Sequence, residues 1–372
     1  MADVKFTKQQ QKAYDLMVKG ENVFITGPSG TGKSLIINTF QKYHSIHKNI
    51  AITSTTGISA LLIGGTTLHS FLGIGLGNGS VDELVKKIMR SKKAVQRWKN
   101  TDVLIIDEIS MLSPELFDKL EEIARIIRRP NPMRILDRDI LKEYPFGGIQ
   151  LVLSGDFLQL PVVGEGNFCF ESKSWNKCVP NVIQLDEIMR QTDPDFQEVL
   201  NDLRFGDVSE RAKKLLTSRM KVSLKNDVGI KPTRIYTTNF DVDSMNNKEL
   251  DKLDDELYQY DMDIHFYKYV PNKSEAIEKY KKNCIAPQSL QLCKGAQVML
   301  LINLDLDMGL VNGSRGVVTS FFNDLPIVKF ANGEELNIGY HSWEIEEEHK
   351  KFVRITQIPL KLAWAVTVHK CV

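Results

Sequence analysis

The chain has 372 residues, 48 basic against 47 acidic side chains, a net charge of +1 and 42% apolar residues. That length exceeds one ordinary core and suits two or three domains, while the balanced charge excludes a uniformly cationic coat, so any polyanion must be held by local patches. The five cysteines, Cys169, Cys178, Cys284, Cys293 and Cys371, lack paired zinc-site spacing and suit free thiols in a reducing compartment. No apolar run approaches the ~20 residues of a membrane span and the N-terminus carries no leader pattern, which points to a soluble intracellular protein.

Phe6 to Met17 patterns as an amphipathic helix with Thr7 as N-cap and Gln10 at the capping-box position. Gln10 also stands shortly before a glycine-rich loop, and its carboxamide, donor and acceptor at once, suits an adenine edge. The loop is Gly27-Pro28-Ser29-Gly30-Thr31-Gly32-Lys33-Ser34, preceded by the apolar run Asn22 to Thr26 and followed by Leu35 to Phe40. Strand, glycine loop and helix in that order are the setting of a phosphate-binding loop. Its backbone N–H groups and the helix dipole cradle a triphosphate, Lys33 reaches the β- and γ-phosphates, and the Ser34 hydroxyl ligates Mg²⁺. ATP and Mg²⁺ are therefore the expected cofactors.

Ile50 to Thr53 is a second short strand, running into a segment from Ser54 to Gly77 that is rich in small hydroxyl residues. Thr55, Thr56, Thr67, His69 and Ser70 could each donate to a phosphodiester backbone, or each could be a cap or a satisfied turn residue. Gly73, Gly75, Gly77 and Gly79 follow a helix-like segment rather than a strand, so they are not a dinucleotide fingerprint. Residues 82–99 pattern as one helix crowded with Lys86, Lys87, Arg90, Lys92, Lys93, Arg97 and Lys99, either a solvated face or a local track for a polyanion.

Thr101 to Leu112 describes a buried parallel strand whose terminal acids, Asp107 and Glu108, emerge at the sheet edge where ligands bind. Asp107 would hold Mg²⁺, directly or through water, and Glu108 would orient and deprotonate the attacking water. After a basic, proline-broken stretch from Arg125 to Arg138, Ile149 to Leu153 gives a fourth strand ending in Ser154, Gly155, Asp156 and Gln159, where Gln159 can touch the γ-phosphate or the lytic water. Pro161 then stops the chain from continuing as helix.

Val182 to Gln191 is a strand entering a turn, with a domain boundary nearby; Arg190 is either a surface charge or a guanidinium for the γ-phosphoryl group. Thr233 to Asn239 starts a second sheet and Asn246 to Leu257 an acidic helix. From Phe266 to Ile355 the pattern turns to β, with Asn312-Gly313 and Asn332-Gly333 as hairpin signals, which a small barrel inserted into an α/β domain accounts for. Phe321, Phe322, Tyr340 and Trp343 there are either core or base-stacking residues.

These stretches together resemble the family of DNA helicases named for petite integration frequency, within superfamily one and close to the RecD type. The resemblance rests on FTKQQ, GPSGTGKS, the Ser54 to Gly77 segment, LIIDEISML, GGIQLVLSGDFLQLP, MRQTD with NDLRFGD, Lys294 to Val318, and IPLKLAWAVTVHK, in the family's order over nearly the whole chain. It implies two tandem RecA-like P-loop motor domains: the first over 1–185 with a wedge insertion at 73–100, the second over 186–265 and 356–372, and an SH3-like β-barrel insertion at 266–355. It implies ATP-driven 5′-to-3′ movement on single-stranded DNA and unwinding of forked duplex by a monomeric motor, in DNA repair, recombination, replication or telomere maintenance, within nucleus, cytosol or a viral replication site. By position, Gln10 reads adenine, Lys33 and Ser34 handle phosphate and Mg²⁺, Asp107 and Glu108 handle Mg²⁺ and water, Gln159 senses the γ-phosphate and Arg190 reaches across the cleft. Thr55, Thr67, His69, Thr237 and His369 fall where the family meets or couples to DNA. In the family the last motif continues past the position of Val372 with Gln-Gly, and a later motif supplies a second arginine. Their absence implies a C-terminally incomplete second domain, completed in trans or left as a catalytically weak ATP- and DNA-binding regulator. A P-loop ATPase acting on protein or RNA is a third, less favoured reading.

Overall fold

The apolar runs that end in the phosphate loop, Ser54, Asp107 and Gly155 become neighbouring strands of one parallel sheet. In the computed structural model, which describes residues 5–128, 144–162, 167–220, 222, 229–270, 272–305, 307–347 and 350–368, that sheet comprises β1 (Val23–Thr26), β2 (Ile50–Ser54), β3 (Thr66–Thr67), β4 (Val103–Asp107), β5 (Gln150–Gly155) and β6 (Asn181–Gln184) in the order β3-β2-β4-β5-β1-β6. Every residue of β4 and β5 is buried, as a parallel sheet covered on both faces requires. The two faces alternate along the strands. Val23, Ile25, Val103, Ile105 and Val152 meet Ala13, Met17, Ile36, Ile37 and Phe40 of α1 (Lys8–Lys19) and α2 (Lys33–His44). Phe24, Leu104, Ile106, Leu151 and Leu153 meet a second cluster that contains Trp98, Phe117 and Leu120.

Between β2 and β4 lie α3 (Gly57–Leu62), α4 (Leu68–Leu72), α5 (Val81–Met89) and α6 (Lys92–Asn100); α7 (Pro114–Ile127) follows β4. The single basic helix expected over 82–99 is two helices. Ser91 accepts from the Ala94 N–H at 3.2 Å and starts the second, so that Leu84 and Ile88 of one and Ala94 and Trp98 of the other share one core. The Trp98 indole N–H donates to the Leu72 carbonyl at 2.9 Å. Two of the basic side chains turn inward, Lys87 to the Ile74 carbonyl and Arg97 to that of Ser70. Most of the Arg125 to Arg138 stretch lies outside the described residues.

Helix α8 (Trp175–Cys178) precedes β6, and α9 (Pro194–Arg204) and α10 (Glu210–Arg219) follow it. Contacts divide the chain into two units, Met1–Met220 and Lys221–Val372, so α9 and α10, which follow the boundary expected near residue 185, fall within the first unit.

In the second unit, β7 (Arg234–Tyr236) runs parallel to β18 (Ala365–Thr367), with α11 (Asn239–Leu250) against them. That helix starts and ends earlier than the 246–257 span expected, because Thr238 caps it by accepting from the Asp241 N–H at 3.1 Å. Asn246 then points inward and brackets Ala365, accepting from its N–H at 2.9 Å and donating to its carbonyl at 3.1 Å. The β-rich region begins with β8 (Tyr258–Asp261) and β9 (Asp263–Phe266) and is interrupted by α12 (Lys273–Asn283), a helix absent from the sequence expectation. It continues through β10 (Ser289–Leu292), β11 (Gln297–Leu300), β12 (Arg315–Phe322), β13 (Leu325–Phe330), β14 (Glu335–Asn337), β15 (His341–Glu347), β16 (Lys350–Gln357) and β17 (Leu360–Leu362). Five strands form the antiparallel sheet β14-β13-β12-β11-β17, and β15-β16-β9 and β10-β8 form two smaller ones. Asn332-Gly333 turns β13 into β14 with Gly333 at φ 96°, but the tight β12–β13 turn is Asn323-Asp324, both left-handed at φ 50° and 58°. Phe321 stacks on Tyr258 with ring centroids 3.8 Å apart and Trp343 packs beside the Met262, Val353 and Ile355 cluster, whereas Phe322 and Tyr340 are exposed. The four described cysteines are free thiols. No described helix is long and apolar enough to cross a membrane.

Candidate active site

The glycine loop sits between β1 and α2 with Gly27, Gly30 and Gly32 at φ 140°, 83° and 86°. A Cβ on Gly32 would stand 2.5 Å from the Gln10 side-chain nitrogen, and one on Gly30 would stand 2.7 Å from Arg190 Cβ. Both positions thus need glycine twice over, for the dihedral and for the close neighbour. Thr31 closes the loop by donating to the Pro28 carbonyl at 2.9 Å. The segment after β6 braces it from outside: the Met189 and Arg190 N–H groups donate to the Gly30 carbonyl at 2.8 and 3.3 Å, and Arg190 Nη1 donates to the Ser29 hydroxyl at 3.2 Å. Arg190 belongs to the same unit as the loop and reaches it from this brace.

Lys33 is folded back, donating to the Gly27 and Pro28 carbonyls at 2.6 and 3.0 Å. Burial holds its amine below the usual lysine value, opposed by the carboxylates of Asp156, Glu108 and Asp107, in that order of influence. The three acids therefore converge on Lys33 from the ends of β4 and β5. Burial also raises the carboxyls of Asp107 and Glu108 above their ordinary values. Glu108 has left-handed backbone, φ 54° and ψ 47°, which turns its side chain out of the strand line. Ser34 is exposed in the first turn of α2, directly after Lys33.

Gln10 does two jobs. Its Oε1 accepts from the Thr7 N–H at 2.9 Å in the capping box, and its Nε2 donates to the Thr31 carbonyl at 2.8 Å, so both ends of the carboxamide are engaged. Gln159 donates its backbone N–H to the Asp156 carbonyl at 3.0 Å and its side-chain amide to Asp156 Oδ2 at 3.5 Å. Asp156 is buried and takes two bonds from Arg204 of α9, at 2.8 and 3.0 Å. In the sequence Asp156 stands at a strand end with no evident partner, and Arg204 falls in NDLRFGD, where nothing marks it for a role of its own. Three-dimensional proximity alone joins them, since 48 residues separate the two.

Among the nucleic-acid candidates, Thr55 stands closest to the chemistry. Its hydroxyl donates to the Glu108 carbonyl at 2.9 Å and its N–H to the Asp107 carbonyl at 3.3 Å. Thr56 pairs with Ser59 as a local cap. Thr67 starts α4 without using its hydroxyl as a cap, and His69, whose imidazole burial holds below its ordinary value, lines a cleft of about 600 Å³ with Leu76, Gly77, Asn78, Leu116 and Lys119. Thr237 is exposed just after β7 in the second unit, and His369 lies outside the described residues.

Residues 5–214 match the PIF1-like helicase family and residues 275–321 the 2B domain of the DNA helicase Pif1. The chain is similar to the uncharacterized protein 030L of Invertebrate iridescent virus 6, 38% identical over 99% of this chain and 84% of that protein. It is also similar to the ATP-dependent DNA helicase PIF1 of Xenopus laevis, 37% identical over 99% of this chain and 55% of that protein, so it spans about half the length of that curated helicase. The crystal structure of Pif1 helicase from Candida albicans superposes with a TM-score of 0.81 at 36% identity, covering 99% of this chain and 86% of that one. Bacteroides Pif1 bound to single-stranded DNA gives 0.66 at 29%, covering 99% and 84%. A phosphate loop with three converging acids, on an α/β parallel sheet that matches these proteins from end to end of the chain, places it in the PIF1-like helicase family.

Proposed function

We propose that this chain is the ATP-hydrolysing motor of a DNA helicase that moves 5′ to 3′ along single-stranded DNA and opens forked duplex, in repair, recombination, replication or telomere maintenance. The observation that carries the proposal is the convergence of Asp107, Glu108 and Asp156 on Lys33 of the loop, with Gln159 bonded to Asp156, joined through Thr55 to the segment that offers phosphodiester contacts. The proposed parts are a first motor domain over 1–185 with its wedge at 73–100, a second over 186–265 and 356–372, and an SH3-like insertion at 266–355, acting as a monomer.

The loop suits a triphosphate because the close approach of Gln10 and Arg190 leaves no room for side chains where backbone N–H groups must face the ligand. The donors for the metal, the Ser34 hydroxyl and the Asp107 carboxylate, are both oxygen, matching Mg²⁺, which keeps water and phosphate as its other ligands. Bound there, ATP and Mg²⁺ supply a polarised γ-phosphoryl group. Lys33 exchanges its loop carbonyls for phosphate oxygen, and Glu108, its carboxyl raised by burial, takes the proton of the attacking water. Gln159 meets the γ-phosphate, Arg190 neutralises charge beside Ser29, and Gln10 gives up a local bond to read adenine. Thr55, Thr67, His69, Thr237 and His369 contact or couple to DNA.

Steady-state ATP hydrolysis with and without single-stranded DNA, beside Glu108→Gln, tests the proposal. Stimulation by DNA that the variant abolishes supports it. Nucleotide binding without turnover refutes it for this chain and favours the second reading, a catalytically weak ATP- and DNA-binding regulator.

A further inference from the structure

The last residue of α9, Arg204, makes a fork-shaped contact with the end of β5. Its Nε donates to Asp156 Oδ2 at 2.8 Å and its Nη2 to Oδ1 at 3.0 Å, with the side chains only 15% and 2% exposed. Burying such a pair brings little net stability, because desolvation offsets most of the attraction and an apolar contact would anchor the helix as well. Its neighbours suggest another use. Asp156 Oδ1 also accepts from the Leu158 N–H at 3.1 Å, and Oδ2 is the acceptor for the Gln159 side-chain amide at 3.5 Å. Both carboxylate oxygens are thus fixed in a plane by Arg204, and that plane sets where the Gln159 amide rests. The segment that ends in Arg204 begins at the brace, where Met189 and Arg190 hold Gly30. One stretch of chain therefore grips the phosphate loop at one end and the γ-phosphate candidate, through Asp156, at the other.

We propose that Arg204 is a positioning residue for triphosphate recognition: by locking the Asp156 carboxylate with two bonds, it presents the Gln159 amide to the γ-phosphate and so lets the site tell ATP from ADP. A lysine keeps the charge but lacks the planar fork, so it does not substitute. The inference rests on Gln159 meeting the γ-phosphate, as proposed above.

The test is the ratio of dissociation constants for ADP and a non-hydrolysable ATP analogue, read by fluorescence or calorimetry, with thermal unfolding recorded in parallel. The variants are Arg204→Lys and Arg204→Gln, both of which leave Asp156 and its influence on Lys33 in place. Both are expected to lower the preference for the triphosphate analogue by about tenfold, the value of one hydrogen bond to a charged group, while ADP affinity changes by less than about threefold. A folded variant that keeps the parental ratio, even with a lower melting temperature, overturns the proposal and leaves Arg204 as a structural anchor. Gln159→Ala separates the two ideas. If it keeps the parental ratio, the γ-phosphate role of Gln159 falls and the Arg204 inference with it; if it loses the ratio while the Arg204 variants keep it, only the inference falls.

Discussion

Glu108 combines two unfavourable features, a left-handed backbone at φ 54° and a carboxyl raised by burial and by the neighbouring Asp107. Left-handed conformation costs a β-carbon-bearing residue about 1–2 kcal/mol, and asparagine tolerates it better than glutamate or glutamine. Glu108→Gln and Glu108→Asn both remove the charge and the general base, so both should lower hydrolysis by about 10²- to 10⁴-fold. Only Glu108→Asn also relieves the backbone. The difference between them, roughly 0.5–1 kcal/mol, should raise the melting temperature of Glu108→Asn about 1–4 °C above that of Glu108→Gln for a unit of this size. Thermal unfolding without nucleotide, followed by dye or tryptophan fluorescence, reads that difference, and the parent should melt below both. Strain kept at a catalytic position is the expected trade between stability and activity. If Glu108→Gln melts as high as Glu108→Asn, the left-handed conformation stores no strain and the reasoning fails.

Thr55→Val removes the hydroxyl that donates to the Glu108 carbonyl; turnover with DNA should fall about tenfold, while nucleotide affinity, measured by titration, stays near that of the parent. Trp98→Ala empties the core between α5, α6 and α7 and strips the Leu72 carbonyl of its donor, so urea unfolding of the first unit should show a loss of about 3–5 kcal/mol. Because burial lowers the folded-state value for Lys33, the penalty on its ammonium is present below that value and fades as pH rises toward the ordinary 10.5. Without nucleotide, Lys33→Met should therefore unfold at higher urea than the parent at pH 7, with the gap closing in alkali; a gap independent of pH would contradict that account.

The phosphate loop, the two acids after β4 and the capping box of α1 were legible because each is local: a short run of sequence fixes both the element and the residue that leaves it. The break at Ser91 was harder to read, since the basic residues on both sides share one character and the burial of Ile88 and Trp98 in a common core, which accompanies the Ser91 cap, shows only in the fold. The Asn323-Asp324 turn lacks the glycine that marks its neighbour at Asn332-Gly333, and α12 lies inside a stretch whose apolar runs on either side read as strands. Arg204 was out of reach for a different reason. Nothing in Asn201 to Asp207 specifies a partner, and its pairing with Asp156 exists only once α9 folds back over the sheet. Thr55 carried the opposite ambiguity: a hydroxyl at a strand end suits many partners, and the one it has among the described residues, the Glu108 backbone, is a neighbour across β2 and β4.

The strand order carries a consequence for how the protein is made. β1 leads directly into the phosphate loop, yet its neighbours on the two sides are β5 and β6, and the loop itself is held by Met189 and Arg190. On a ribosome adding about 5–20 residues per second, the loop emerges well before any of these partners. Until then the segment has no sheet to join, and closing so long a stretch of chain is entropically slow. A nascent chain should therefore acquire nucleotide affinity in one late step, when the residues around position 190 leave the exit tunnel, rather than when the phosphate loop does.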